Sequence, residues 1–288
     1  MMQFTANSLL IGIGKRRRKP NHVLVFGMMA ELPSVLKPSL EYIDRLAGPL
    51  KKQGRLHRPF GRTIVTAEFG LSWISMQCDC MEQTLTVPEL DCLVETGSKE
   101  ALLLVAERSV TAIPAPGHTL LGQDVRRLLD SPLDDSVLRT VWVGGAGFAF
   151  DPKADKESLR DWLAGVETSW LNAERRTDPG FTPPPPAPST DPALREAVLE
   201  AIDRVAPGLT AAADKGISAV PLVGMVPALT DVVERANADL GFRLFLRVLK
   251  AYCLPISPPD HHALLTLGER FGYRDLVDEG ELNLTPSA

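Results

Sequence analysis

Val137-Leu-Arg-Thr-Val-Trp-Val143, running into Gly144-Gly-Ala-Gly147 and then Phe148-Ala-Phe150, is the stretch on which the fold class turns. Its β-branched and aromatic residues suit a pleated surface, so 137–143 reads as a strand. The glycines behind it fit a bulged edge strand or a close approach of backbone to another group. Residues 63–69 and 71–78 read as two more strands. Ile64, Val65 and Thr66 precede Gly70, and Leu71, Trp73 and Ser75 alternate with smaller or polar neighbours. Residues 110–113 read as extended before a loop at Pro114, Pro116 and Gly117. Between them, Ala101-Leu-Leu-Leu-Val-Ala106 is the core of a short buried element that periodicity alone assigns neither to helix nor to strand.

Toward the N-terminus, the apolar runs 8–13 and 23–28 flank KRRRKPNH and suggest a hairpin with Lys15, Arg16, Arg17, Arg18 and Lys19 at its tip. A helix follows Pro38, with Leu40, Ile43 and Leu46 on one face and Gly48-Pro49 as its stop. A second covers 122–130, with Val125, Leu128 and Leu129 together. The clearest follows Asp155, where Leu159, Trp162, Leu163, Val166 and Trp170 recur at i, i+3, i+4, i+7 and i+11. Residues 1–178 are therefore expected to form an α+β or α/β body with a mixed sheet.

FTPPPPAPSTD at 181–191 can neither continue a helix nor enter a central strand, so 179–191 reads as a proline-rich linker. A polyproline II spacer is expected. The alternative is a docking motif for a proline-recognising groove, since 183–186 satisfies PxxP. Residues 192–288 then read as a small all-helical bundle module. Thr190 or Asp191 caps a helix opened by Pro192, with Leu194, Val198, Ile202 and Val205 as its buried stripe and Pro207-Gly208 as its end. Further helices cover 227–239 and 242–252, and a last one starts at Asp260 as N-cap and stops at Gly272.

With 44% hydrophobic and 23% charged residues, the 288-residue chain has ordinary globular composition. Four cysteines are too few for a disulfide-stapled fold, so reduced thiols are expected. The apolar stretch 9–13 precedes the basic run instead of following one, which is the wrong order for a secretory signal. No run approaches 18 apolar residues, so no membrane span is expected, and a cytoplasmic location follows. Charge is uneven. Residues 1–62 carry 12 Lys/Arg against 3 Asp/Glu, 63–190 carry 10 against 19, and 191–288 carry 9 against 14.

That asymmetry gives the first candidate site. Lys15, Arg16, Arg17, Arg18 and Lys19 can contact phosphates of a nucleic acid or other polyanion, Arg bidentately and Lys as a point charge. The competing reading is a solvated turn. Cys78 and Cys80 face one side if extended and, with Cys92 and His118, have the residue types of a zinc site. Their one-residue gap is poor for zinc, and buried thiols are the simpler account. Gly12-Ile-Gly14 lacks the third glycine of a dinucleotide fingerprint, and Gly144-Gly-Ala-Gly147 lacks the Lys-Ser/Thr of a phosphate loop. Asp260-His261-His262 reads as a helix start, since adjacent histidines diverge by about 100°. No catalytic constellation is organised and no cofactor is expected. The leading expectation is an interaction protein with a protein partner, of adaptor, accessory chaperone or toxin-immunity type. Polyanion binding through 1–62 comes second, and an enzyme with a site assembled from distant residues third.

Overall fold

The computed structural model describes residues 68–78, 80–81, 84–113, 117–185, 191–216, 221–278 and 282–285. Two compact units divide the chain at Thr63–Ile64, and the described residues all belong to the second, Ile64–Ala288. The expected strands at 8–13 and 23–28, the helix after Pro38 and the basic run 15–19 lie outside the described residues.

What is described is helical, and the mixed-sheet body is overturned. In chain order the helices are α1 (Gly70–Gln77), α2 (Val87–Thr96), α3 (Ser98–Ala112), α4 (Gly117–Asp130), α5 (Asp135–Gly145) and α6 (Leu159–Thr177), with a 3-10 turn at Pro152–Asp155. After the proline-rich segment come α7 (Pro192–Lys215), α8 (Met225–Arg235), α9 (Ala238–Ala251), α10 (Pro258–Phe271) and the single turn α11 (Asp275–Asp278). The only strands among the described residues are β1 (Pro255–Ile256) and β2 (Asn283–Leu284), a two-residue parallel pair.

Three segments expected as strands, 71–78, 110–113 and 137–143, fall in or directly after helices, and the clearest case is a helix buried on all sides. Gly70, Leu71, Ser72, Trp73, Ile74, Ser75 and Gln77 of α1 are all buried, because α3, α4, α5 and α9 pack around it. A helix enclosed this way shows no polar stripe. In α5, Leu138, Val141, Trp142 and Gly145 recur at helical spacing and are buried, and the β-branched Val141 and Val143 are core. Residues 110–112 finish α3, which also absorbs the unassigned 100–107.

The glycines after 143 close α5 instead of shaping a sheet edge. Gly144 faces the tip of the Met225 side chain, with α8 packed on α5. Gly147 and Phe148 both take left-handed φ (60° and 65°) and turn the chain back. Phe150 thereby reaches Trp162, and its carbonyl accepts from Trp142 Nε1 at 3.2 Å. Trp142 and Trp162 meet with ring centroids 4.1 Å apart.

The stripe expected after Asp155 is found: Leu159, Trp162, Leu163, Val166 and Trp170 are buried on α6, whose Ser158 cap accepts from the Asp161 amide. Asp191 caps α7 through the Ala193 amide, with Pro192 in the first turn. Pro207 does not end α7, which runs on to Lys215. Pro207 and Gly208 lie on the exposed side, while Leu209 and Ala213 continue the buried stripe. Their burial offsets the interior proline, a penalty of about 3 kcal/mol. Asn237 accepts from Leu240 N at 3.1 Å and starts α9 earlier than expected. Ser257, not Asp260, caps α10, with Asp260 bonded to its hydroxyl; Gly272, at φ 83°, stops it as expected.

The elements on the two sides of the proline-rich segment share one buried cluster. In particular, α8 and α9 pack on α5, and α9 reaches α1.

Candidate functional site

α9 is buried over most of its surface, yet it carries Arg243, Arg247 and Lys250. At 3.6 residues per turn these three fall within about 60° of arc and form one cationic edge. The surrounding helices supply its counter-charges. Arg243 is fully buried and forks onto Asp124 of α4, with Nη1 to Oδ2 at 2.6 Å and Nη2 to Oδ1 at 2.7 Å. Its Nη2 also donates to Asp239 Oδ2 at 3.0 Å, and its guanidinium lies 5.1 Å from the Phe69 ring centroid. Asp124 Oδ2 further accepts from Leu71 N at 3.0 Å, so one carboxylate holds both α9 and the first turn of α1. The Tyr273 hydroxyl donates to Asp239, and Arg127 Nη1 stands 3.7 Å from Asp124 and 3.8 Å from Asp239.

One turn on, Arg247 Nε donates to the Gly145 carbonyl at 2.8 Å. Lys250 pairs with the buried Glu68 and donates to Leu276 O at 3.3 Å. Burial alone would raise the Glu68 carboxyl, but Lys250 and Arg247 outweigh it and hold it below the ordinary value. Asp239 is likewise raised by burial and lowered further by Arg243, ending below the usual range. Burial and the neighbouring Asp239 push Tyr273 up, which keeps it a donor. This buried network links α1, α4, α5 and α9 through paired charges, although Glu68 Oε2 and Arg127 Nη1 make no hydrogen bond.

The candidate metal residues Cys78, Cys80, Cys92 and His118 are spread over separate elements. Cys78 and Cys80 follow α1, and their thiols donate to carbonyls one turn back, at Ile74 (3.8 Å) and Met76 (3.4 Å). Cys92 lies on α2 and His118 on α4. Among the described residues no group of three or more His, Cys, Asp and Glu converges as a metal site requires. His118 instead places Nε2 3.6 Å from Glu174 Oε1, and its carbonyl accepts from Trp170 Nε1 at 3.1 Å. Burial raises the Glu174 carboxyl against the opposing pull of His118.

Two surface depressions flank α6. A groove of about 270 Å³ runs between α3 and α6, with Leu104, Val110 and Ala173 as apolar floor and Glu107, Arg108 and Arg176 at the rim. Arg176 pairs with Glu107, and Arg108 with Glu89. A recess of about 90 Å³ lies on the α4 side, between Gly122, Gln123, Arg126 and Trp170 and the prolines at 183–185. The recess contains three prolines of the 183–186 run, whereas the groove carries no sequence motif. The groove is formed by two helix faces whose residues lie far apart in the chain.

No helix among the described residues is long and apolar enough to cross a membrane. Comparison with known proteins gives no match: no family model, no curated protein and no solved structure is similar to this chain.

Proposed function

We propose that this chain is a protein-binding scaffold whose α3/α6 groove receives an amphipathic helix of a partner protein. The groove carries the reading: an apolar floor is bordered by paired Arg and Glu side chains that can exchange one another for partner charges. From Leu104 to Thr111 it extends about 10 Å along α3, enough for two turns of a docked helix.

The test places a photo-crosslinking amino acid at Thr111 in the groove and, separately, at exposed Asp214 on α7. A partner captured from Thr111 alone is purified, and its binding to the full chain is measured with and without Leu104→Glu. The substitution should weaken binding at least about tenfold, since a buried apolar contact becomes an unpaired charge. Equal capture at both positions, or no effect of Leu104→Glu, overturns the reading.

A second reading rests on the 12 Lys/Arg against 3 Asp/Glu in 1–62. The N-terminal stretch is then a polyanion-binding arm. Its affinity for a DNA duplex should fall steeply with salt, and replacing Arg16, Arg17 and Arg18 by Ala should flatten that slope by about three phosphate contacts. A slope unmoved by either change excludes the arm.

A further inference from the structure

The proline-rich segment can act as a spacer or as a ligand. Its described part is seated against the helices. After α6 ends at Thr177, Phe181 turns back onto Trp170, edge to face, with centroids 5.6 Å apart and planes at 83°. Pro183, Pro184 and Pro185 then close the recess whose far wall is Trp170, Gly122, Gln123 and Arg126. Trp170 is only 1% exposed. A Cβ on Gly122 would stand 2.1 to 2.6 Å from three atoms of the indole ring, so glycine alone lets the indole lie across α4.

Grooves that bind polyproline helices offer an aromatic wall to the flat faces of successive prolines and a polar rim to the backbone. This recess has both. Trp170 is oriented by its bond to the His118 carbonyl, and Gln123 and Arg126 lie at the edge, with Arg126 held by Glu167. The prolines do not fill it, since about 90 Å³ remains between the two walls. They are tethered, so their effective concentration is about millimolar and any ligand from outside must compete with it.

We propose that the Trp170 recess is a proline-recognition site, held closed by the chain's own Pro183, Pro184 and Pro185, and that its external ligand is a polyproline II segment of a partner protein. The site is separate from the α3/α6 groove, and each stands or falls without the other.

The probe is fluorescein-labelled octaproline, titrated against the full chain by fluorescence anisotropy. Replacing Pro183, Pro184 and Pro185 by Ser removes the internal ligand and should strengthen octaproline binding by about tenfold or more. Trp170→Phe in that background should abolish most of the gain. The indole N–H signal of Trp170 should shift on titration while those of Trp73, Trp142 and Trp162 stay in place. Pro184→Ser alone, at an exposed position, is the second variant and should give a smaller gain in the same direction. Octaproline binding that is equal in the unaltered chain and in Pro184→Ser, or a Trp170 signal that does not move, overturns the proposal.

Discussion

Asp124→Ala should be severely destabilising, because it breaks a completely buried ion pair. The substitution strips Arg243 of both bonds of its fork, at a site where both side chains are completely buried. Removing one partner of such a pair destabilises by about 3–5 kcal/mol, because the remaining charge stays in the core without a counter-ion. The amide of Leu71 loses its acceptor as well, which adds about 1 kcal/mol. Asp239, still 3.0 Å from Arg243, relieves part of the loss, so a net change of about 3–5 kcal/mol is expected. For a unit of this size that lowers the melting temperature by about 10 °C. The assay is urea unfolding followed by far-ultraviolet circular dichroism, with thermal melts alongside. Asp124→Leu combined with Arg243→Met should recover most of the stability, since replacing a whole buried ion pair by apolar side chains is often neutral or better. A loss below about 1 kcal/mol for Asp124→Ala, or a double variant no better than the single, would refute the reasoning.

Three further outcomes follow from the same packing. Lys250→Met removes one of the two cations that together outweigh the burial of Glu68, so the Glu68 carboxyl rises from its lowered value. A lowered carboxyl contributes stability present above its unfolded value and lost as pH falls through its folded one. A raised one contributes stability that is lost as pH rises. Urea titrations should therefore show the deficit of Lys250→Met growing from pH 4 to pH 7, and a deficit independent of pH contradicts this. Gly122→Ala drives a methyl into the Trp170 ring and should destabilise by about 1–3 kcal/mol in thermal melts. Finally, the pieces 1–178 and 190–288, expressed apart, should each lack a cooperative melt and regain one on mixing, because α9 buries its cationic edge against α1, α4 and α5; cooperative unfolding of each piece alone counts against that.

The helix over 159–177 was legible because its apolar residues face one way and its polar residues the other, and the caps at Asp191 and Gly272 were legible because they act within one turn. α1 and α5 were not. Where helices enclose a segment, its polar residues are buried too, as Ser72, Ser75 and Gln77 are, and the one-sided pattern disappears. In α5 the spacing of Leu138, Val141, Trp142 and Gly145 was available, but β-branched content argued the other way. The cationic edge of α9 carried a local signal: Arg243, Arg247 and Lys250 share one face of a segment rich in Leu, Phe and Val. Its answer, however, lies at Asp124 and Glu68, 119 and 182 residues away.

From the sequence alone came composition, the charge gradient, the amphipathic helices and their caps, all fixed by interactions within a few residues. Only the tertiary structure decided the helical class of the described residues, the pairing of Arg243 with Asp124 and the packing of Phe181 on Trp170. Each depends on which distant surfaces meet: burial there overrides local propensity, and a charge is stable in the core only where another segment brings its partner.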